Sequence, residues 1–387
     1  MRIPFFMGLD INQMIKFKLN MTRDKCVLCE SQIKEIYRIN EMPSFMGVVD
    51  DNDNVIKSDM IISECTKCGL IQNKELLPIE LVYMNNHNTA VVGDIWIEHY
   101  IELCNFIKKN SKGDTILEIG DPSAKLAIPL KDGYKKWIIV EPNTDMESFD
   151  NVEIINEFFD GESKFDDEIG TIVHSHVLEH LYDPIRFLKD CYTLLKDGDV
   201  TIFSIPNIKW ILENDGLPTS VLHFEHTYYV DDENIEYFLN KSGFKLDKIQ
   251  HYKNHSLFIK AIKVDSLPSE EIPVMKLSEK FLLLVDSYEK KISHINKELN
   301  GRDYYLYSAH INSQFMLNNG ISGNIISLLD KSGDKIGKNL YGYDYNIYSP
   351  ERIKNDKQPI VVASQMSIYF EEIKSNLLYI NENTIIL

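Results

Sequence analysis

Between residues 97 and 265, short apolar runs alternate with amphipathic stretches, a pattern open to few architectures. "IEHYIELCNFIKKN" has helical apolar spacing and ends before Ser111-Lys112-Gly113-Asp114. "TILEIG" reads as a strand, "AKLAIPLKD" as a helix with Gly133 just past it, and "WIIVEPN" and "VEIINEFF" as two further strands. "IGTIVHSHVLEH" runs from strand into loop, and "DPIRFLKDCYTLLKDG" is a helix with Pro184 in its first turn. "DVTIFSIPN" is a strand, "DDENIEYFLNKSG" a helix and "FIKAIK" a last strand. The alternation predicts an α/β fold built on a doubly wound parallel sheet, with ligands at the carboxyl ends of its strands. Glu118 closes the first strand and Glu141 the second. An acid at the second strand's tip suits a bidentate hydrogen bond to a ribose diol.

Upstream lie two C-x-x-C pairs, Cys26-Val-Leu-Cys29 and Cys65-Thr-Lys-Cys68. Each pair can aim two thiolates at one point, and two such knuckles complete a tetrahedral sulfur site for structural zinc. A redox dithiol is the alternative, and the second pair favours zinc. The strand-like runs "EIYRI" and "DMIISE" between the pairs suit a small zinc-stapled β-domain. Cys104 and Cys191 fall in helix-like segments and read as packed thiols.

A net charge of −18 over 387 residues argues against a nucleic-acid partner, which needs a basic face. No apolar run approaches the roughly 20 residues of a membrane span. "MRIPFFMGLD" is interrupted by Asp10 too early for a signal peptide, so the expected location is the cytoplasm.

"TILEIG", "WIIVEPN", "SHVLEHLYDP" and "TIFSIPN" occur in the order and spacing of class I S-adenosylmethionine-dependent methyltransferases. With the cysteine pairs upstream, the chain resembles the sugar methyltransferase family typified by the C-methyltransferases of deoxysugar biosynthesis. The resemblance implies a Rossmann-like methyltransferase core between a small N-terminal zinc-binding β-domain and a C-terminal α/β domain that contacts a nucleotide-linked sugar. It implies S-adenosylmethionine as cofactor. Glu118 and Gly120 then form the methionine-side loop, Glu141 and Pro142 lie at the adenosine ribose, and His176, Val177 and Glu179 border the cofactor. The loop itself is unusual: Asp121-Pro122-Ser123-Ala124 stands where further glycines are common, and reads as a modified cradle.

On the acceptor side, "HFEHTYYV" follows the core strand "TIFSIPN" and so returns over the active-site edge. His226 is the expected general base, with His223 beside it and Glu225 placed to orient or charge-tune a histidine. The family shows Tyr-His-Glu-His here. This chain keeps Glu225 and His226 and carries His223 in place of the tyrosine. The family's Gly-Gly-Ser-Leu appears as Asn254-His255-Ser256-Leu257, and Tyr83 matches a family tyrosine near the sugar. His176-Val-Leu-Glu179-His180 also fits a zinc-peptidase pattern, but that site needs both histidines within one helix, and here the motif spans a strand-to-helix loop.

The expected organisation is an extension over 1–20, a zinc-binding domain over 21–80, the core over 81–265, a connecting helix over 266–300 and a Rossmann-like unit over 301–387. In that last unit Ser308-Ala309-His310 replaces the family's Gly-Ala-Gly, which argues against dinucleotide binding there. Three functions stay open: O-methylation of a sugar hydroxyl, the favoured reading; C-methylation of a keto-sugar; and a non-catalytic scaffold with a decayed core. The product would serve a surface polysaccharide or a glycosylated metabolite. Monomer and dimer are both compatible with the sequence.

Overall fold

The computed structural model describes residues 21–53, 55–78, 82, 94–214, 216, 218–266, 274–365 and 369–387. At the N-terminal end, β1 (Ile33–Pro43), β2 (Lys57–Cys65) and β3 (Ile71–Asn73) form an antiparallel sheet. The two cysteine pairs flank it, with Cys65 closing β2.

The core opens with α1 (Asp94–Asn110). Its strands are β4 (Thr115–Ile119), β5 (Lys136–Val140), β6 (Val152–Ile155), β7 (Thr171–Ser175) and β8 (Val200–Pro206). Helices α2 (Pro184–Leu194), α3 (Ile208–Glu213) and α4 (Ile235–Lys241) precede the last two strands, β9 (Phe244–Tyr252) and β10 (Ser256–Lys263). The seven strands lie in the order β9-β10-β8-β7-β4-β5-β6. Every residue of β4 and β8 is buried, as expected of strands covered on both faces.

The doubly wound parallel sheet expected from the sequence is present, with one antiparallel strand next to an edge. β10 runs antiparallel to both β8 and β9, because a short turn joins β9 to β10 and a hairpin can only pair antiparallel strands. The order reverses between β4 and β7, so the crevice at their carboxyl ends is the place where such a sheet binds ligands.

Beyond the core, α5 (Leu277–Leu299) leads into β11 (Asp303–Tyr307), α6 (Ile311–Asn318), β12 (Asn324–Leu329), β13 (Ile347–Tyr348), β14 (Ile360–Val362), α7 (Phe370–Ile380) and β15 (Ile385–Ile386). The order is β13-β12-β11-β14-β15, with every pairing parallel. One apolar cluster joins Met60 and Ile62 of β2 to Phe281 and Leu284 of α5 and to Phe315 of α6. Val48-Val49 also pairs with Asn339-Leu340, tying the first sheet to the last unit. Among the described residues, no helix is long and apolar enough to cross a membrane.

Candidate active site

The four N-terminal cysteines converge. Cys26 Sγ lies 3.6 Å from Cys68 Sγ, Cys29 Sγ 3.4 Å from Cys65 Sγ, and Cys29 Sγ 3.6 Å from Cys68 Sγ. A tetrahedral zinc site with bonds of about 2.3 Å spaces its sulfurs by about 3.8 Å, so the donor set fits the ion with little adjustment. Backbone N–H groups of Leu28, Lys67 and Cys68 donate to cysteine sulfurs, the outer contacts that steady a thiolate. Cys104 and Cys191 are buried in α1 and α2 as packed thiols.

This unit also holds residues 227–229 of the "HFEHTYYV" segment. Tyr229 N donates to Ile71 O and Asn73 N to Thr227 O, so residues 227–229 extend the β3 edge. Buried Arg23 donates to Thr227 O at 2.5 Å and to Tyr182 O at 2.8 Å. The "HFEHTYY" segment is thus pinned between the cysteine unit and the core.

At the end of β4, the Glu118 side chain is buried and accepts from Trp137 Nε1 at 2.6 Å, while its Oε1 has no hydrogen-bond partner. Burial, then the Asp121 charge, pushes its carboxyl well above the usual range. Gly120 has φ +86°, and a Cβ there would stand 2.5 Å from Val177 Cγ2, so the loops after β4 and β7 touch at a point only glycine fits. Beyond it the chain supplies its own support. The Asp121 carboxylate accepts from Ser123 N at 2.9 Å and Lys125 N at 2.5 Å, and Thr144 Oγ1 donates to Pro122 O. Ala124 adopts φ +52°, a glycine-like conformation in a residue with a side chain. A carboxylate clamp therefore shapes the loop where extra glycines are missing. At the end of β5, the carboxylate of Glu141 accepts from Asn143 N at 2.7 Å, and burial raises its pKa. Pro142 follows, half-buried.

The histidines of "HSHVLEH" separate by role. His174 is core packing, stacked on Phe203 with centroids 4.6 Å apart. His176 has φ +52°, a strained conformation that tertiary contacts must hold. Its Nδ1 lies 3.0 Å from Glu179 Oε1. Leu178–His180 forms a single 3₁₀ turn, not the helix a peptidase site requires. Burial pushes the Glu179 pKa up, but His176 and His180 more than offset it and hold the carboxyl below its ordinary range. Its Oε2 accepts no hydrogen bond.

His180 bridges to the acceptor side, with Nε2 4.0 Å from Glu179 Oε1 and Nδ1 3.9 Å from Glu225 Oε2. Its ring meets that of His226 edge-on at 4.9 Å. His226 is half-buried, its ring 3.9 Å from that of His223, and its buried Nδ1 has no hydrogen-bond partner. Burial, then the neighbouring histidines, drives its pKa well down, so it is a neutral imidazole. Burial also pushes Glu225 up to about 8, so at neutral pH it keeps its proton. Of the two acids here, Glu179 is held below its ordinary range and Glu225 above it, so Glu179 carries the negative charge beside these imidazoles. Tyr228 and Tyr229 are buried, and their hydroxyls donate to Leu178 O and Val221 O. Tyr83 lies outside the described residues.

Sequence reasoning passed over three contributors: His99, Asp121 as a loop clamp, and Trp96, whose ring packs on His99, His176 and His255. Trp96 and His99 sit one helical turn apart in "WIEH", a signal that was readable but had no partner nearby in sequence.

No curated protein matches the chain. Among solved structures, it is similar to a 1,6-didemethyltoxoflavin-N1-methyltransferase from Burkholderia thailandensis (13% identity, 46% of this chain and 84% of that one, TM-score 0.35). It is also similar to a magnesium protoporphyrin IX methyltransferase from Synechocystis (12%, 47% and 94%, 0.35) and to the N-methyltransferase NodS from Bradyrhizobium japonicum (12%, 46% and 93%, 0.35). A family model described as a methyltransferase domain matches residues 97–249, the span from α1 into β9. The seven-stranded core is thus similar to a methyltransferase domain over that span.

Proposed function

We propose that the chain methylates a hydroxyl of a nucleotide-linked sugar. Bound S-adenosylmethionine supplies an electrophilic sulfonium methyl and leaves as S-adenosylhomocysteine. In this reading the loop after β4 takes the amino-acid end of the cofactor, with the orphaned Glu118 Oε1 as an acceptor, and Glu141 takes the ribose diol. Pro142, His176, Val177 and Glu179 border it. His226 removes the hydroxyl proton as the methyl is transferred, a contribution of typically 10²- to 10⁴-fold. His223 and Glu225 position it, and Tyr83 belongs to the sugar site by the family resemblance. The four cysteines hold a structural zinc, and the C-terminal unit contacts the nucleotide.

The carrying observation is the neutral imidazole of half-buried His226, whose buried Nδ1 is unpartnered, in a segment clamped by Arg23 and β3. One base beside one hydroxyl suffices for O-methylation. An enolate asks for further acid–base groups, and the two tyrosines of this segment already spend their hydroxyls on main-chain carbonyls. The test is a screen of nucleotide-linked sugars with ¹³C-methyl donor, read by NMR. A methyl resonance bonded to oxygen is expected. One bonded to carbon overturns the O-methyl assignment, and no transfer together with no cofactor binding by calorimetry leaves the scaffold reading.

A further inference from the structure

Three imidazoles from distant parts of the sequence meet at the carboxyl edge of β7. His99 comes from α1, His176 follows β7, and His255 sits in the turn between β9 and β10. One potential ligand nitrogen from each lies within 4.8 Å of the other two. Their ring centroids form a nearly equilateral triangle, with sides of 5.3, 5.4 and 5.7 Å. The ring planes are inclined by 62°, 60° and 58°, close to a three-bladed propeller. Three imidazoles around a tetrahedral ion, with metal–nitrogen bonds of 2.0–2.1 Å, hold their centroids about 5.2 Å apart. The observed triangle is within about half an ångström of that figure.

We propose that His99, His176 and His255 bind a divalent first-row transition ion of the zinc type, with a fourth position open to an oxygen ligand. The surroundings have the outer contacts that such ligands need. His176 Nδ1 meets Glu179 Oε1 at 3.0 Å, the carboxylate–histidine pairing that orients a ligand and raises its basicity. His255 Nδ1 meets Ser256 Oγ at 2.6 Å. His99 Nε2 meets Ser175 Oγ at 3.3 Å, and Ser175 is held in turn by Ser204 Oγ at 2.9 Å. This leaves His99 Nδ1 buried with no hydrogen-bond partner. His176 Nε2 contacts Ser256 Oγ at 2.9 Å, and an ion takes the place of that contact. Trp96 covers the three rings at centroid distances of 4.4 to 5.2 Å, an apolar wall on one side of the site.

His176, one corner of the triangle, has φ +52°, a strained conformation that tertiary contacts hold. The site is separate from the cysteine cluster and uses nitrogen where that cluster uses sulfur. It lies beside the proposed acceptor region, but its occupancy does not depend on methyl transfer.

The experiment is cobalt titration of the purified full-length protein, read by visible absorption and elemental analysis. Cobalt on three imidazoles and an oxygen gives d–d bands without the thiolate-to-cobalt charge-transfer band of a sulfur site. One equivalent with that signature is expected in the wild type, and at least a tenfold weaker affinity in both His99→Gln and His255→Gln. Circular dichroism and the sulfur-site metal content serve as fold controls. Absence of a saturable non-thiolate signal in the wild type overturns the proposal, as does equal affinity in folded variants. Loss of the thiolate band alone would sink the zinc staple and leave this site standing.

Discussion

Among the described residues two sheets run largely parallel, and their carboxyl edges use similar residues to opposite ends. In the core, β4 and β5 end at Glu118 and Glu141, with the His176 loop alongside. In the C-terminal unit, β11 leads into Ser308-Ala309-His310 and β12 ends at Asp330. The Asp330 carboxylate accepts from Ala309 N at 2.9 Å, Ser332 N at 3.0 Å and Lys335 Nζ at 3.0 Å. Its capacity is met by its own chain. The core edge instead leaves Glu118 Oε1, Glu179 Oε2, His226 Nδ1 and His99 Nδ1 buried without hydrogen-bond partners. Leaving a buried polar atom unpaired costs roughly 1–3 kcal/mol, so four of them at one edge mark a surface shaped for something other than stability. Similar topology therefore says little about function, and the leftover donors and acceptors say more.

The sharpest break of this contrast is His226→Ala. If the core edge is catalytic, turnover should fall 10²- to 10⁴-fold, about 3–5 kcal/mol in the barrier, with cofactor affinity unchanged. Near-normal turnover, measured with labelled methyl donor, removes His226 from its role. Next comes a matched pair, one acid from each sheet. Asp330→Ala strands the buried Ala309 N–H and should cost about 2–3 kcal/mol in urea unfolding while leaving cofactor affinity intact. Glu141→Ala should do the reverse, weakening cofactor binding about tenfold or more by calorimetry with under about 1 kcal/mol lost in stability. Equal responses from the two variants would erase the contrast.

Gly120→Ala probes the close approach of the loops after β4 and β7. The added methyl meets Val177 Cγ2 at a glycine-like φ, so a loss of about 2 kcal/mol is expected in thermal unfolding. A neutral result would mean that the loop yields, and that the Asp121 clamp does not fix its shape.

Much of this was legible in the sequence, and the exceptions share a cause. The strands of the parallel run announced themselves as continuous apolar segments because both faces are buried, and the cysteines because their spacing is local. β9, "FKLDKIQHY", escaped because an edge strand with exposed polar positions has no clear apolar run. With it went the hairpin that sets β10 antiparallel. The histidine triangle was hidden for another reason: His99, His176 and His255 are each separated by more than seventy residues, and only the sheet order brings them together. The pairing of 227–229 with β3 is equally non-local. Glu225 was found, but its protonation state depends on burial, which residue type and spacing do not reveal.

That protonation state gives the smallest and most specific effect. Glu225 is half-buried, and its folded pKa of about 8 lies above the usual 4.5 of an unfolded glutamate. A group raised in this way contributes stability that is fully present below about 4.5 and is lost as pH rises through about 8. Glu225→Gln keeps the shape of the neutral acid and cannot ionise. Other raised carboxyls, Glu118 and Glu141 among them, act equally on wild type and variant and cancel in the difference. Between pH 7 and pH 9 the wild type should therefore lose about 1 kcal/mol more than the variant, measured by urea unfolding at each pH. Parallel losses would mean that Glu225 is ionised at neutral pH. Glu179 would then no longer be the main negative charge among these imidazoles, and the contrast with the self-satisfied Asp330 edge would weaken at its acidic residue.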